Sequence, residues 1–275
     1  MKKLLLPLMA LLLVWGQSLG QSKETRNFNT FTKIAFRVPG KLILKQGDVQ
    51  KVELEGDSET LSKTETEVEG SKLIIGRENK WMNWNWHDDN RITVYITVKN
   101  IDALSVSGSG DLVTTSKFTT GDLELKVSGS GSLQIETQAS GLLTADVSGS
   151  GRIDVKGNCR NFDSSISGSG KVMAAVAIAE KADVSISGSG KIEASGSAKE
   201  IKTTISGSGK VLAANLEVDL CEVRISGSGD MEIAVKSELD ASISGSGSVS
   251  YRGSPAHVNS HSSGSGHVRK ISSGI

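Results

Sequence analysis

The chain has 275 residues, with 31 basic and 31 acidic side chains, 3 prolines, 31 glycines and 2 cysteines. A net charge of zero argues against general electrostatic attraction to nucleic acid or to an anionic membrane. The glycines are concentrated in a repeated motif with apolar residues at fixed places between the copies, which excludes a disordered Gly/Ser linker.

Residues 1–20 read as a secretory signal: Lys2 and Lys3 precede an apolar run from Leu4 to Val14, broken only by Pro7, with small residues at Ser18 and Gly20. The run is too short to span a bilayer, and no second stretch approaches the ~20 apolar residues of a transmembrane helix. No cysteine lies near the cleavage region, which disfavours a lipid anchor, so export to the periplasm, cell surface or medium is expected. Residues 21–30 are expected to be a linker.

Residues 31–101 form an N-terminal β segment. Ile34, Phe36, Val38, Gly40, Lys41, Leu42 and Leu44 give alternation, glycine, lysine and alternation again, the pattern of a degenerate rung. Further strands are predicted at Val52–Leu54, Leu73–Ile75 and Ile92–Val98. This segment is expected to close one end of a rod, because an open terminal rung offers unpaired edge groups to other chains.

Within it, Trp81, Trp84 and Trp86 stand among Asn83, Asn85, His87, Asp88, Asp89 and Asn90. Ring faces flanked by donors and acceptors suit sugars, so these tryptophans are the candidate glycan or partner site. The competing reading packs them over the end of the core. His87, Asp88 and Asp89 are loop neighbours with no fourth ligand indicated, and no metal site is assigned.

From residue 102 to 275 the chain is a repeat. Ser-Gly-Ser-Gly begins at Ser107, Ser128, Ser148, Ser167, Ser187, Ser206, Ser226, Ser244 and Ser263, at intervals of 18 to 21 residues. Such a period marks a solenoid whose units bury their apolar faces against one another. Counting from the first serine, the residue five before is apolar from the second motif onward (Leu123, Leu143, Phe162 and their equivalents), the residue one before is almost always Val or Ile, and the residue five after is Leu, Ile, Val or Met. Even offsets are polar, as at Asp163, Asp183, Arg152 and Lys171. A period of two rich in β-branched residues is a strand signal and excludes a helical solenoid.

The fold predicted is therefore all-β: a single-chain parallel β-helix of about 19–20 residues per rung, continuous with the N-terminal segment, nine rungs giving roughly 40 Å at the usual strand spacing. Right-handed coiling is the prior for parallel crossovers. Parity through the motif predicts both serines outward in hydrogen-bonded columns and both glycines inward, where a side chain would strike the opposite wall. Cys221 falls in an inward column as a small hydrophobe. Cys159 is predicted in a turn, too far from Cys221 for a disulfide. The C-terminal rung is expected to be less well closed, which favours self-association through rod ends.

Other chemistry finds little support. Calcium-binding β-rolls need Gly-Gly-x-Gly-x-Asp, whereas an acid follows this motif only at Asp111 and Asp230. A phosphate loop needs a helix after its glycines, and strands follow here. No nucleophile elbow or paired carboxylates can be assembled, so neither catalytic residues nor a cofactor are assigned.

Phe31-x-x-Ile34-x-Phe36-x-Val38-x-Gly40, the polar stretch from Gly56-Asp57 to Glu69-Gly70 leading into Leu73-Ile74-Ile75, the strand Val94-Tyr95-Ile96-Thr97 and Leu104-Ser105-Val106-Ser107-Gly108-Ser109-Gly110 resemble the putative auto-transporter adhesin family, head GIN domain, over about residues 30–270. The resemblance implies an exported bacterial β-helix protein with an adhesion role and no catalytic residues to carry over. The sequence shows no translocating β-barrel, so a self-contained autotransporter is not expected. The functional expectation is an exported, non-enzymatic adhesin-like or surface-interaction protein whose partner is a surface protein or polysaccharide. The alternatives are a glycan-binding module using the tryptophans, an envelope scaffold, and a crystal-binding surface on the serine columns.

Overall fold

A computed structural model describes residues 22–77 and 91–271. In chain order the first elements are β1 (Ser22–Arg26), β2 (Lys33–Phe36), β3 (Gly40–Gln46), β4 (Lys51–Gly56), α1 (Ser58–Lys63), β5 (Thr64–Glu69), β6 (Lys72–Arg77), β7 (Ile92–Val98), β8 (Ala103–Gly108) and β9 (Asp111–Thr114). Then come β10 (Phe118–Thr120), β11 (Leu123–Gly129) and β12 (Ser132–Ala139), and strands of the same kind continue to Lys270.

The strand before each motif pairs in parallel with its counterparts on the adjoining rungs. Thus β11 lies between β8 and Leu142–Gly149, with Ser128 opposite Ser107 on one side and Ser148 on the other. The strand after each motif does the same: β12 lies between β9 and Arg152–Cys159. About eight turns of parallel β-solenoid result, as nine aligned corners require. The inward columns are buried as the alternation predicts: Leu123, Val127, Leu133, Ile166 and Ile192 are no more than 2% exposed. Full burial of such a side chain contributes about 1.5–3 kcal/mol, and β-branched residues suit the pleat.

The second side of each rung is bent. The start of β12 pairs with β9 and its end with β10, so one strand runs round a shallow corner. Past the bend lies a further buried apolar set, Ala139, Cys159, Ile178, Ala198, Val218 and Val235. Cys159, predicted in a turn, instead ends the strand Arg152–Cys159 and is 4% exposed. Desolvation pushes its thiol, like that of Cys221, up to about 12.

The motif also departs from simple parity. Only its second glycine is buried, while the first sits partly exposed at the corner with positive φ, for example +121° at Gly188. That backbone state breaks the alternation on which the parity count relies. An added Cβ at Gly188 would lie 2.6 Å from the Gly168 carbonyl oxygen, and one at Gly190 would lie 2.5 Å from Ile166 Cγ2. The obstruction is thus the preceding rung, not the opposite wall. Among the described residues the motif hydroxyls form no hydrogen bonds with one another. The ladder runs through the backbone instead, as in Ser189 N–H to Gly168 O, 2.9 Å, and Lys191 N–H to Gly170 O, 3.0 Å.

At the N-terminal end β2 and β3 form the expected degenerate rung around Gly40, paired with β8 and β9. One rung further out β6 and β7 add in parallel. The direction then reverses: β5 is antiparallel to β6, β4 to β7 and β1 to β4. Segment 21–30, expected as a linker, therefore holds a paired strand. Helix α1 joins β4 to β5 and so crosses between the two strand stacks, with Leu61 in the core. Its N-terminus is capped by Asp57, whose Oδ1 accepts from Thr60 N–H at 2.8 Å. Phe31 fills the same end and is 1% exposed.

The opposite end is built differently. In the rung of His257–Gly264 every residue is exposed, and serines 260 and 262 occupy the inward columns that hold Ala241 and Ile243 one rung earlier. Polar side chains there lower the cost of facing water, although Val258 is 40% exposed.

Candidate binding groove

The predicted sugar-binding residues Trp81, Trp84 and Trp86 lie outside the described residues, as do the signal segment 1–20 and residues 272–275. The flanks of the tryptophan segment are described. It joins β6 to β7, and these strands stack on β2 and β3, then on β8 and β9, whose connection is the first Ser-Gly-Ser-Gly corner. The end of β6 and the start of β7 therefore lie on the line of the motif corners.

A concavity among the described residues lies elsewhere, on the outer surface of the bent side. One part, of about 390 Å³, is lined by Asp154, Lys156, Met173, Ala175, Leu212 and Asn215, among others. A second, of about 250 Å³, shares Asp154 and Lys156 with it and extends to Thr114, Ser116, Lys117, Gln134 and Glu136. Together they span six successive rungs, roughly 24 Å along the rod at the usual strand spacing. The first interval of the repeat is the longest, 21 residues, and residues 115–117 between β9 and β10 form the groove's N-terminal wall.

Two backbone irregularities shape the other end. The pairing of Lys191–Gly207 with Lys210–Gly227 shifts register between Glu193 and Ser195, and the next pairing shifts between Ala213 and Glu217. Bulges of this kind bend a strand and re-aim its side chains. Behind the wall lies a small apolar void lined by Ala174, Ala194, Val211 and Leu216 among others, so the floor is thin here and made of small residues.

The charges of the groove are unevenly engaged. The Asp154 carboxylate pairs with Arg152 at 3.2 Å, and Glu193 with Lys171 at 2.8 Å and Lys191 at 3.7 Å. The Lys171 hydrogen bond holds the Glu193 carboxyl below its ordinary value. Among the described residues, Lys117, Lys156 and Glu136 are in no ion pair, although Glu136 neighbours Lys156 across the strand pair. The straight side of the rod contrasts with this: Asp163 and Asp183 stack in register with Asp146 nearby, and burial followed by these two charges raises the Asp163 carboxyl.

The sequence matches the family described as putative auto-transporter adhesin, head GIN domain, over residues 30–194 and 175–255. The chain belongs to this family. Solved structures share its fold. A putative adhesin of Parabacteroides merdae has a TM-score of 0.69 at 20% identity, covering 92% of this chain and 97% of that one. A putative lipid binding protein of Parabacteroides distasonis has a TM-score of 0.71 at 23% identity, with 92% and 97% covered. A putative adhesin of the same species has a TM-score of 0.67 at 23% identity, with 92% and 98% covered. No curated protein matches the chain. No helix among the described residues is long and apolar enough to cross a membrane.

The groove escaped sequence reasoning because its side chains come from outward positions of six separate rungs. Parity identifies these only as solvent-facing. Met173 and Leu212, apolar residues at outward offsets, were the available signal.

Proposed function

We propose that this family member is an exported, non-enzymatic surface-interaction protein of the adhesin type, whose partner is a surface protein or polysaccharide. The observation that carries this reading is the family match over the greater part of the chain, joined to a rod whose outer wall offers a continuous groove over six rungs. A regular, rigid wall of this sort presents an extended surface at low entropic cost on binding. Purified protein lacking residues 1–20 is to be screened against glycan, matrix-protein and envelope-component arrays. Reproducible retention on at least one surface is expected; silence on every array leaves a scaffold and removes adhesion.

Export is tested separately. Protein recovered from the periplasm, cell surface or medium of expressing bacteria is expected to begin near residue 21 by intact mass, and full-length protein confined to the cytoplasm overturns it.

A second reading assigns glycan binding to Trp81, Trp84 and Trp86. It is favoured by the described flanks of their segment, the end of β6 and the start of β7, which lie on the line of polar motif corners. Replacing all three with Ala is expected to abolish retention on any glycan found in the screen, and unchanged retention excludes this assignment.

A further inference from the structure

We infer that the groove on the bent side is a binding site for a single-chain amphiphile with an anionic head, the chemistry shared by a fatty acid and a lysophospholipid. This goes beyond adhesion and does not depend on it. Polarity changes along the rod. The N-terminal half presents hydroxyls and amides at Thr114, Ser116 and Gln134 with the ammonium groups of Lys117 and Lys156. The C-terminal half is mainly apolar, with Met173, Ala175, Ala194 and Leu212 set among the ion-paired Glu193 and the uncharged Ser195 and Asn215. A ligand polar or apolar throughout would leave one half mismatched, whereas an amphiphile laid along the axis satisfies both.

Three observations fix its orientation and sign. The groove's carboxylates Asp154, on the third rung, and Glu193, on the fifth and in register between Met173 and Leu212, are engaged by Arg152, Lys171 and Lys191. Of the side chains lining the groove, the cations in no ion pair are Lys117 and Lys156, at the polar end, against the one acid there in no ion pair, Glu136, which neighbours Lys156 across the strand pair. A negative head is therefore complementary there. At the other end the wall thins to small residues backed by an apolar void, and the register shifts interrupt the ladder at this point. A tail seated over Met173, Ala175 and Leu212 removes their exposed apolar surface from water. The 390 Å³ of this part lies within the range of small-ligand sites, about 300–1,000 Å³.

The test titrates the full exported chain with a dansyl-labelled fatty acid. Unlabelled dodecanoate, lysophosphatidylglycerol, lysophosphatidylcholine and monoacylglycerol serve as competitors. Saturable binding displaced by the first two more strongly than by the last two is expected, and the better competitor of the two anions distinguishes carboxylate from phosphate. Ala175→Trp, at an exposed position, is expected to weaken binding on the order of tenfold or more. The double variant Lys117→Gln, Lys156→Gln is expected to weaken anion binding by about tenfold and to leave monoacylglycerol unchanged. Thr204→Trp, exposed on the straight side, serves as control, and circular dichroism establishes that each variant is folded. Absence of saturable binding, equal loss in Thr204→Trp, or binding insensitive to Ala175→Trp in folded protein overturns the inference. Competition by neutral oligosaccharides but not by lipids overturns it in favour of a glycan. Array silence in the adhesion screen leaves the outcome here unaffected, so the two readings fail independently.

Discussion

Replacing Gly188 with Ala tests whether the motif glycines, and not its serines, hold the rungs together. The new Cβ would stand 2.6 Å from the Gly168 carbonyl oxygen, about 0.8 Å inside ordinary contact distance. Lifting the rung by that amount stretches the Ser189 N–H to Gly168 O bond from 2.9 Å to roughly 3.7 Å, outside hydrogen-bond range. Losing a backbone hydrogen bond in this setting costs about 1–3 kcal/mol. Holding a non-glycine residue at φ +121° costs about 1–3 kcal/mol more. Reduced unfolded-state entropy offsets about 0.4–1 kcal/mol. The net loss is about 1–5.6 kcal/mol, centred near 3, and at that centre lowers Tm by roughly 6–12 °C for a domain of this size, read by circular dichroism melting and urea titration. Two comparisons sharpen the test. Gly70→Ala, at φ +60° with nothing within 4 Å of the new atom, is expected to cost only about 1–2 kcal/mol. Ser187→Ala removes an exposed hydroxyl and is expected to fall within about 0.5 kcal/mol of the parent. A Gly188→Ala protein within 0.5 kcal/mol of the parent, or a Ser187→Ala loss exceeding that of Gly188→Ala, refutes the reasoning.

Asp163→Asn is expected to stabilise the protein by about 0.2–1 kcal/mol at pH 7 by relieving the like-charge stack with Asp183. Because the folded-state carboxyl is raised, the penalty it carries is full above its folded pKa and absent below the unfolded value of about 3.9; a gain persisting at pH 3 contradicts this. Asp57→Ala is expected to cost about 0.5–2 kcal/mol through the lost cap. The Asp57 carboxyl is lowered, first by the Thr60 hydroxyl, so the cap's contribution is present above about pH 3.9 and is lost as pH falls through the folded value. Urea titrations at pH 7 and below pH 3 should show the difference between parent and variant closing. Cys159 and Cys221 are both buried with thiols at about 12; a disulfide-based thiol reagent at pH 8 should leave native protein unlabelled and modify both after urea unfolding, and rapid native labelling of either refutes their burial.

The rungs were legible because strand alternation is local: Val127, Val147 and Ile166 announce the inward column without reference to anything distant. The closing of the N-terminal end was legible only as a run of strands, since antiparallel reversal at β4 and β5 depends on pairings across tens of residues. Parity failed at the motif, where the positive φ of the first glycine resets the alternation. It failed again beyond the bend, where Cys159 joins a buried set that variable rung length hides from a fixed count. The groove was invisible for a related reason: Lys117, Lys156, Ala175 and Leu212 are 95 residues apart at the extremes and meet only because the stack aligns them.

The chain winds around the axis of the rod, while the backbone hydrogen bonds between rungs point along it. Squeezed across its width, the rod meets covalent loops; stretched along its length, it is resisted mainly by hydrogen bonds and side-chain packing, with one covalent crossing per turn. Its mechanical behaviour is accordingly that of a tightly closed spring, stiff around the hoop and extensible by whole coils. A load along the axis is relieved by releasing one coil while the coils beyond it keep their shape.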